Sequence, residues 1–222
     1  MYQIGTTLIV GASPDLVELA KILGKDGEQI GLMARTESRL QQFKQRLNAG
    51  NVTCEAFAVD VTEAGSVLIA FQKFAQWSPR LDRLIYNVGM QSQESARSLT
   101  TSSIHKVMST NFFGFVNCLQ LAMPMFKRTG GGHIITISSV RSLDEEQPVA
   151  YAASKASLRI YTSALRRDIQ ETAIKISELY LGQIPQGQES RDLNCEEIVG
   201  ALLTVIEQKP ERFMVGQSHS LN

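Results

Sequence analysis

The sequence predicts an α/β protein: a doubly wound parallel sheet with helices on both faces, three layers in a single domain spanning residues 1–222. Three observations predict it. Short apolar runs recur along the chain, segments with helical spacing separate them, and the runs are continuous rather than alternating, as strands covered on both faces must be. Right-handed crossovers between parallel strands then give the doubly wound arrangement. The 222 residues, 43% of them hydrophobic, supply enough apolar material for such a core.

The strands are expected at 6–10, 30–34, 52–59, 81–87, 134–138, 174–181 and 213–215, each rich in Val, Ile, Leu or Phe. Between them, apolar residues recur with helical spacing at 16–23, 38–47, 64–77, 103–126, 151–171 and 196–208. The first helix is the best punctuated. Ser13 stands as N-cap, Pro14 at the first helical position and Asp15 in the first turn, a start that is stable without any ligand. The polar stretch "GQIPQGQESRD" (182–192) is read as a loop long enough to move. No repeat, low-complexity tract or linker interrupts the alternation.

Composition narrows the function classes. With 22 basic and 22 acidic residues and no basic cluster, the chain lacks an electrostatic footprint for nucleic acid. Cys54, Cys118 and Cys195 are odd in number and far apart, with no CxxC pair, so neither a disulfide framework nor a metal site is expected and the cytoplasm is the simplest location. The start "MYQIGTTLIV" has no basic lead-in, and the most apolar stretch, 112–126, is broken by Gly114, Asn117, Gln120 and Pro124; no membrane association is expected. His105, His133 and His219 are read as a helix-surface, a strand-leading and a tail residue. Cys195, at a helix start, is read as a passive thiol, with a lowered pKa as the alternative.

Chemistry concentrates in "YAASK" (151–155). Tyr151 and Lys155 are four apart in a helical segment and share one face, where an ammonium favours the phenolate and makes Tyr151 a candidate proton donor or acceptor. The other four tyrosines are followed four residues later by Thr6, Met90, Leu165 and Ile184, none a lysine. Upstream, "IITISS" puts Ser138 and Ser139 at the carboxyl end of a strand.

With these residues in view the chain resembles the short-chain dehydrogenase/reductase family over nearly its whole length. Gly11, "DVT" (60–62), "LDRLIYNVG" (81–89), "STNFFG" (109–114), "GGHIITISS" (131–139) and "YAASK" occur in the family's order. The resemblance implies a Rossmann-like fold and an oxidoreductase that interconverts a small-molecule carbonyl and an alcohol by hydride transfer. By position, Tyr151 would be the acid/base, Lys155 would lower its pKa and hold the nicotinamide ribose, a serine would bind the substrate oxygen, and Asn111 would hold a relay water. Gly11, Ser13, Asp60, Asn87 and Gly89 would contact the cofactor, and helices 103–126 and 151–171 would form a homodimer or homotetramer. Ser139 is preferred to Ser138: the family's serine is the second of its pair, and one residue can be lost from the loop before Tyr151 without moving either anchor.

The first turn departs from the family. Its TGxxxGxG pattern aligns with Val10, Gly11, Asp15 and Val17, so two of three glycines are replaced, and an acid stands where a phosphate would lie. Against loss of the ligand stands Arg35, after the second strand, where NADP-preferring members carry a basic residue; NADP (NADPH) is therefore expected rather than NAD. Two readings follow: an NADP-dependent oxidoreductase, or an inactive homologue acting as a binding or scaffold protein. The family's "PG" is replaced by Leu181 and Gly182, and a shortened following segment implies an open substrate site, with Gln91, Gln93, Arg141 and Tyr180 as candidate walls.

Overall fold

The computed structural model describes residues 5–91, 94, 97–140, 147–186 and 189–216. Alternation of strand and helix runs through it: β1 (Thr6–Val10), α1 (Pro14–Lys25), β2 (Gln29–Ala34), α2 (Glu37–Ala49), β3 (Cys54–Ala58), α3 (Ala64–Trp77), β4 (Arg83–Tyr86), α4 (Thr101–Met108), a π-helical turn (Ser109–Phe113), α5 (Gly114–Thr129), β5 (Gly132–Ser139), α6 (Val149–Asp168), β6 (Ile174–Leu181), β7 (Gln183–Gln186), β8 (Glu189–Asp192), α7 (Cys195–Gln208) and β9 (Arg212–Val215). Seven strands form one sheet in the order β3-β2-β1-β4-β5-β6-β9, every neighbouring pair parallel. The order reverses between β1 and β4, and in such sheets that switch point opens a crevice beyond the carboxyl ends of the strands.

The continuous apolar runs are explained by two cores. On one face Ile9, Leu32, Ile85 and Ile135 pack under Leu19 of α1, Leu40 of α2 and Leu202 of α7. On the other, Leu8, Leu84 and Ile134 pack under Phe74 of α3, Phe115 and Phe126 of α5 and Leu158 of α6. Adjacent strand residues thus serve opposite layers, so both parities are mainly apolar.

Helix α1 starts as its sequence demands. Ser13 is extended (φ −127°, ψ 165°), its hydroxyl accepts from the Leu16 amide at 3.4 Å, and Pro14 opens the helix. The expected helix 103–126 is instead two helices joined by the π-helical turn, whose extra residue shifts the register between α4 and α5. Close packing marks the join: a side chain at Gly114 would lie 2.7 Å from Val61 Cγ2 and 2.8 Å from the Tyr86 hydroxyl. That hydroxyl donates to the Thr110 carbonyl at 3.2 Å. The expected loop 182–192 contains an antiparallel hairpin, β7–β8, in which Gln183 faces Asp192. Among the described residues no helix is long and apolar enough to cross a membrane.

Candidate active site

Two adjoining clefts lie beyond the carboxyl ends of the strands, sharing Asn87, Val88 and Gly89 as a common wall. The first turn and the β4 turn are clamped to each other there. Asn87 donates from its amide to the Val10 carbonyl (2.8 Å) and from Nδ2 to the Gly11 carbonyl (3.2 Å). Gly11 has φ +91°, and a Cβ on it would sit 2.7 Å from the Asn87 carbonyl carbon, so position 11 admits only glycine.

The two substituted glycine positions turn away from this wall. Val17 is fully buried among the residues beneath α1, filling the space a third glycine would leave. Asp15 lines neither cleft; its carboxylate lies beside the Cys195 thiol at the start of α7. Burial first, and then that carboxylate, hold the thiol above its ordinary pKa, so the helix start does not activate Cys195. In the first turn the Gly11 and Ala12 amides donate to the Met33 carbonyl (2.8 and 3.4 Å), and Ala12 and Ser13 border the second cleft.

The second cleft, about 350 Å³, runs from Gly11, Ala12 and Ser13 past Arg35 to Asp60. Asp60 is fixed by Thr62, whose amide (2.9 Å) and hydroxyl (2.7 Å) both donate to Oδ1; these hydrogen bonds keep the Asp60 carboxyl below its ordinary pKa. Arg39, not singled out in the sequence, stands in the first turn of α2, lines the same cleft as Arg35 and lies over the Phe43 ring at 5.4 Å. The i, i+4 spacing of Arg39 and Phe43 carried that signal.

The first cleft, about 540 Å³, brings Ser138, Ser139, Tyr151 and Lys155 together. Tyr151 sits in the first turn of α6, and Lys155 Nζ lies 5.7 Å from its ring centroid. Lys155 is buried and makes no hydrogen bond to another described residue; burial pushes its amine down to about 8. Ser139 shares a strand face with Ile137 and pairs with Leu181, both of which line the cleft. Ser138 shares a face with Thr136 and pairs with Tyr180, neither of which does.

Asn111 is fully buried in the π-helical turn. Its Nδ2 donates to the Met90 carbonyl and to Ser154 Oγ (both 2.9 Å), while Oδ1 accepts from the Met90 amide (2.7 Å). Both amide hydrogens are therefore used and one lone pair of Oδ1 is left. That oxygen and Lys155 Nζ flank Gly89, 3.8 and 3.6 Å from where its Cβ would be.

Comparison with known proteins decides the family. The model of the short chain dehydrogenase family matches residues 6–192. The chain belongs to this family of oxidoreductases. Relatives include an uncharacterized oxidoreductase of Myxococcus xanthus, 29% identical over 80% of this chain and 71% of its own length. Another is the ketoacyl reductase HetN of a Nostoc species, 24% identical over 96% and 79%. Among solved structures, the fold superposes on an alcohol dehydrogenase from Thermococcus sibiricus complexed with 5-hydroxy-NADP (TM-score 0.85, 21% identity, 99% of both chains). It also superposes on an actinorhodin polyketide ketoreductase with NADPH (TM-score 0.85, 18% identity, 97% of this chain and 96% of that one).

In this short-chain dehydrogenase the cover of the first cleft is the β7–β8 hairpin. Gln183 Nε2 donates to Asp192 Oδ1 at 2.8 Å across its base, and both residues line the cleft with Met90, Gln91, Leu193 and Ile198. Arg191 anchors the hairpin to α7 through two bonds to Glu197 (2.7 and 2.6 Å), and Glu197 completes a capping box with Asn194. Of the expected wall residues, Gln91 is there, whereas Tyr180 is not: it is buried behind the strand and its hydroxyl donates to Glu178. Strand parity turns it to the opposite face from Leu181. Gln93 and Arg141 lie outside the described residues. Among the described residues no three His, Cys, Asp or Glu side chains gather as a metal ion would require.

Proposed function

We propose that the chain is an NADP-dependent oxidoreductase that interconverts a carbonyl and an alcohol, with Tyr151 as the acid/base. The observation that carries this reading is Lys155: a buried ammonium without a hydrogen-bond partner among the described residues, between Tyr151 and Gly89, where two clefts join at the switch point. A largely desolvated cation at the wall of a cleft is costly to keep unless a ligand uses it.

The residues present fit the dinucleotide. Gly11 and the Ser13 amide would face the pyrophosphate, Arg35 and Arg39 a 2′-phosphate, Asp60 the adenine, and Asn87, Gly89 and Lys155 the nicotinamide riboside. Asp15, turned towards Cys195, leaves the phosphate position free of like charge. Solved relatives of this fold are described with NADP, NADPH or a hydroxy-NADP, which supports the same choice. When bound, the cofactor supplies or accepts the hydride.

The chain's own residues handle the oxygen. Ser139 donates to the substrate oxygen and holds it against Tyr151, whose phenol gives up its proton as alkoxide charge develops there. Lys155 steadies the phenolate that remains, and Asn111, through its spare lone pair, braces a relay of protons past Gly89. The substrate is a small carbonyl compound entering under the hairpin. A homodimer or homotetramer through α5 and α6, in the cytoplasm, completes the reading.

Two substitutions test it. Arg35→Ala should weaken NADPH by about 10–100-fold, the range of a lost charge-assisted hydrogen-bond pair, and NADH hardly at all; fluorescence titration with both nucleotides reads this. An equal loss for both would remove Arg35 from the argument. Ser139→Ala should lower kcat for reduction by about 10²–10³-fold, as loss of one oxyanion donor does, with Ser138→Ala close to wild type. The reverse order would transfer the role to Ser138.

A further inference from the structure

The opposite end of the sheet carries a second polar hollow that the proposed reaction does not use. It measures about 270 Å³ and lies at the amino ends of β4 and β5, walled by Arg80, Arg83, His133 and Lys209 with the 130–132 glycine turn. Arg83 and His133 are register partners on adjacent parallel strands, so their side chains stand side by side on one face. Each holds a buried nitrogen with no partner, Arg83 Nε and His133 Nδ1.

One further nitrogen of each side chain is held. Arg83 Nη1 donates to Thr7 Oγ1 (2.7 Å) and to the Glu28 carboxylate (2.7 and 3.0 Å). His133, 3% exposed, meets Ser177 Oγ at 2.8 Å through Nε2. The ring is neutral, its pKa pushed down to about 3 by burial and then by the Arg83 and Lys209 charges. If Ser177 donates to Nε2, the proton sits on Nδ1, which then, like Arg83 Nε–H, has no acceptor among the described residues. An orphaned buried donor costs about 1–3 kcal/mol.

Charge points the same way. Asp82, the one acid among the described residues of the hollow's wall, is engaged by Arg80 and by the Thr6 amide, and Glu28 by Arg83. Lys209 has no carboxylate partner among the described residues. It is also held in the left-handed region (φ 50°, ψ 46°) at the end of α7, a conformation that lysine rarely adopts. Two residues that each hold an unmatched donor, one cation without a carboxylate partner and a strained backbone therefore border one hollow.

We propose that this hollow is a binding site for a phosphoryl oxyanion, received by Nδ1–H of His133 and Nε–H of Arg83 and balanced by the Lys209 ammonium. The ligand class is inorganic phosphate or a small phosphomonoester, distinct from the nucleotide cleft at the other end of the strands.

Two-bond ¹H–¹⁵N spectra of the imidazoles test this near neutral pH, the three histidines being assigned with His133→Leu. His133 should be the neutral Nδ1–H form. Inorganic phosphate in the tens of millimolar should shift its Nδ1 resonance and raise Tm, acetate at equal ionic strength should not, and glycerol phosphate compared with phosphate distinguishes the two sources. Arg35→Ala should keep the response; Lys209→Gly, which also relieves the backbone, should weaken it about tenfold, and His133→Leu should abolish it. An Nε2–H tautomer, no response to either phosphate, an equal response to acetate, or a response that survives His133→Leu but is lost in Arg35→Ala would each overturn the assignment.

Discussion

Tyr151→Phe should lower kcat by about 10²–10⁴-fold, the contribution of a positioned acid/base, while NADPH affinity changes by no more than a factor of a few, since one neutral hydrogen bond is worth about 0.5–1.5 kcal/mol. The ring that packs at the start of α6 is retained, so the fold and the neighbouring Lys155 keep their support. Steady-state reduction of a panel of small ketones and aldehydes, with NADPH binding measured in parallel, separates the two quantities. Equal loss of turnover and of binding would assign Tyr151 to the cofactor alone; unchanged turnover would remove it from the chemistry.

Lys155→Met should abolish turnover and yet stabilise the ligand-free protein. Burial holds the Lys155 amine at about 8 against an ordinary 10.5. Between those values the unfolded chain binds more protons than the folded one, so this group makes stability rise with pH across that window. Below pH 8 both states are protonated and the folded state carries the full penalty. Methionine removes that penalty, on the order of 3 kcal/mol, or roughly 6–12 °C in Tm for a chain of this size. Thermal melts near neutral pH and above pH 10 read the difference: the gap should be wide at the lower pH and close at the higher. A variant that melts below wild type near neutral pH would show that Lys155 is satisfied within the fold, and the main support for a ligand in that cleft would fall.

How far the sequence reveals this protein depends on which physical signal each element leaves. Helix α3 and strand β6 match their expected bounds because apolar periodicity and turn residues delimit both ends. The π-helical turn left no mark, since one inserted residue does not disturb the apolar content of 103–126; only packing at Gly114 and Tyr86 shows it. The hairpin was hidden because Gln183, Gln186, Glu189 and Arg191 lack the β-branched signature, and pairing of Gln183 with Asp192 is a tertiary fact.

At the site, the reactive set was legible because it lies in short contiguous motifs, "YAASK" and "ISS", and the structure gathers those residues in one cleft. The direction of Asp15 was not legible. Whether an acid at a helix start faces a phosphate or a neighbouring helix depends on α7, which arrives 180 residues later in the chain, and here Cys195 lies beside it. Tyr180 was misplaced for a related reason, because strand parity decides which side of β6 it serves. Arg39 was missed although its spacing from Phe43 was visible.

The account depends on the first turn retaining a dinucleotide with valine and aspartate in place of two glycines. Titrating the purified protein with NADPH and following nicotinamide fluorescence, with Tm as an independent reading, measures this directly. Saturable enhancement with a dissociation constant in the micromolar range and a rising Tm is the predicted result. Absence of both responses at millimolar NADPH would contradict it and leave a dehydrogenase scaffold that has given up its cofactor.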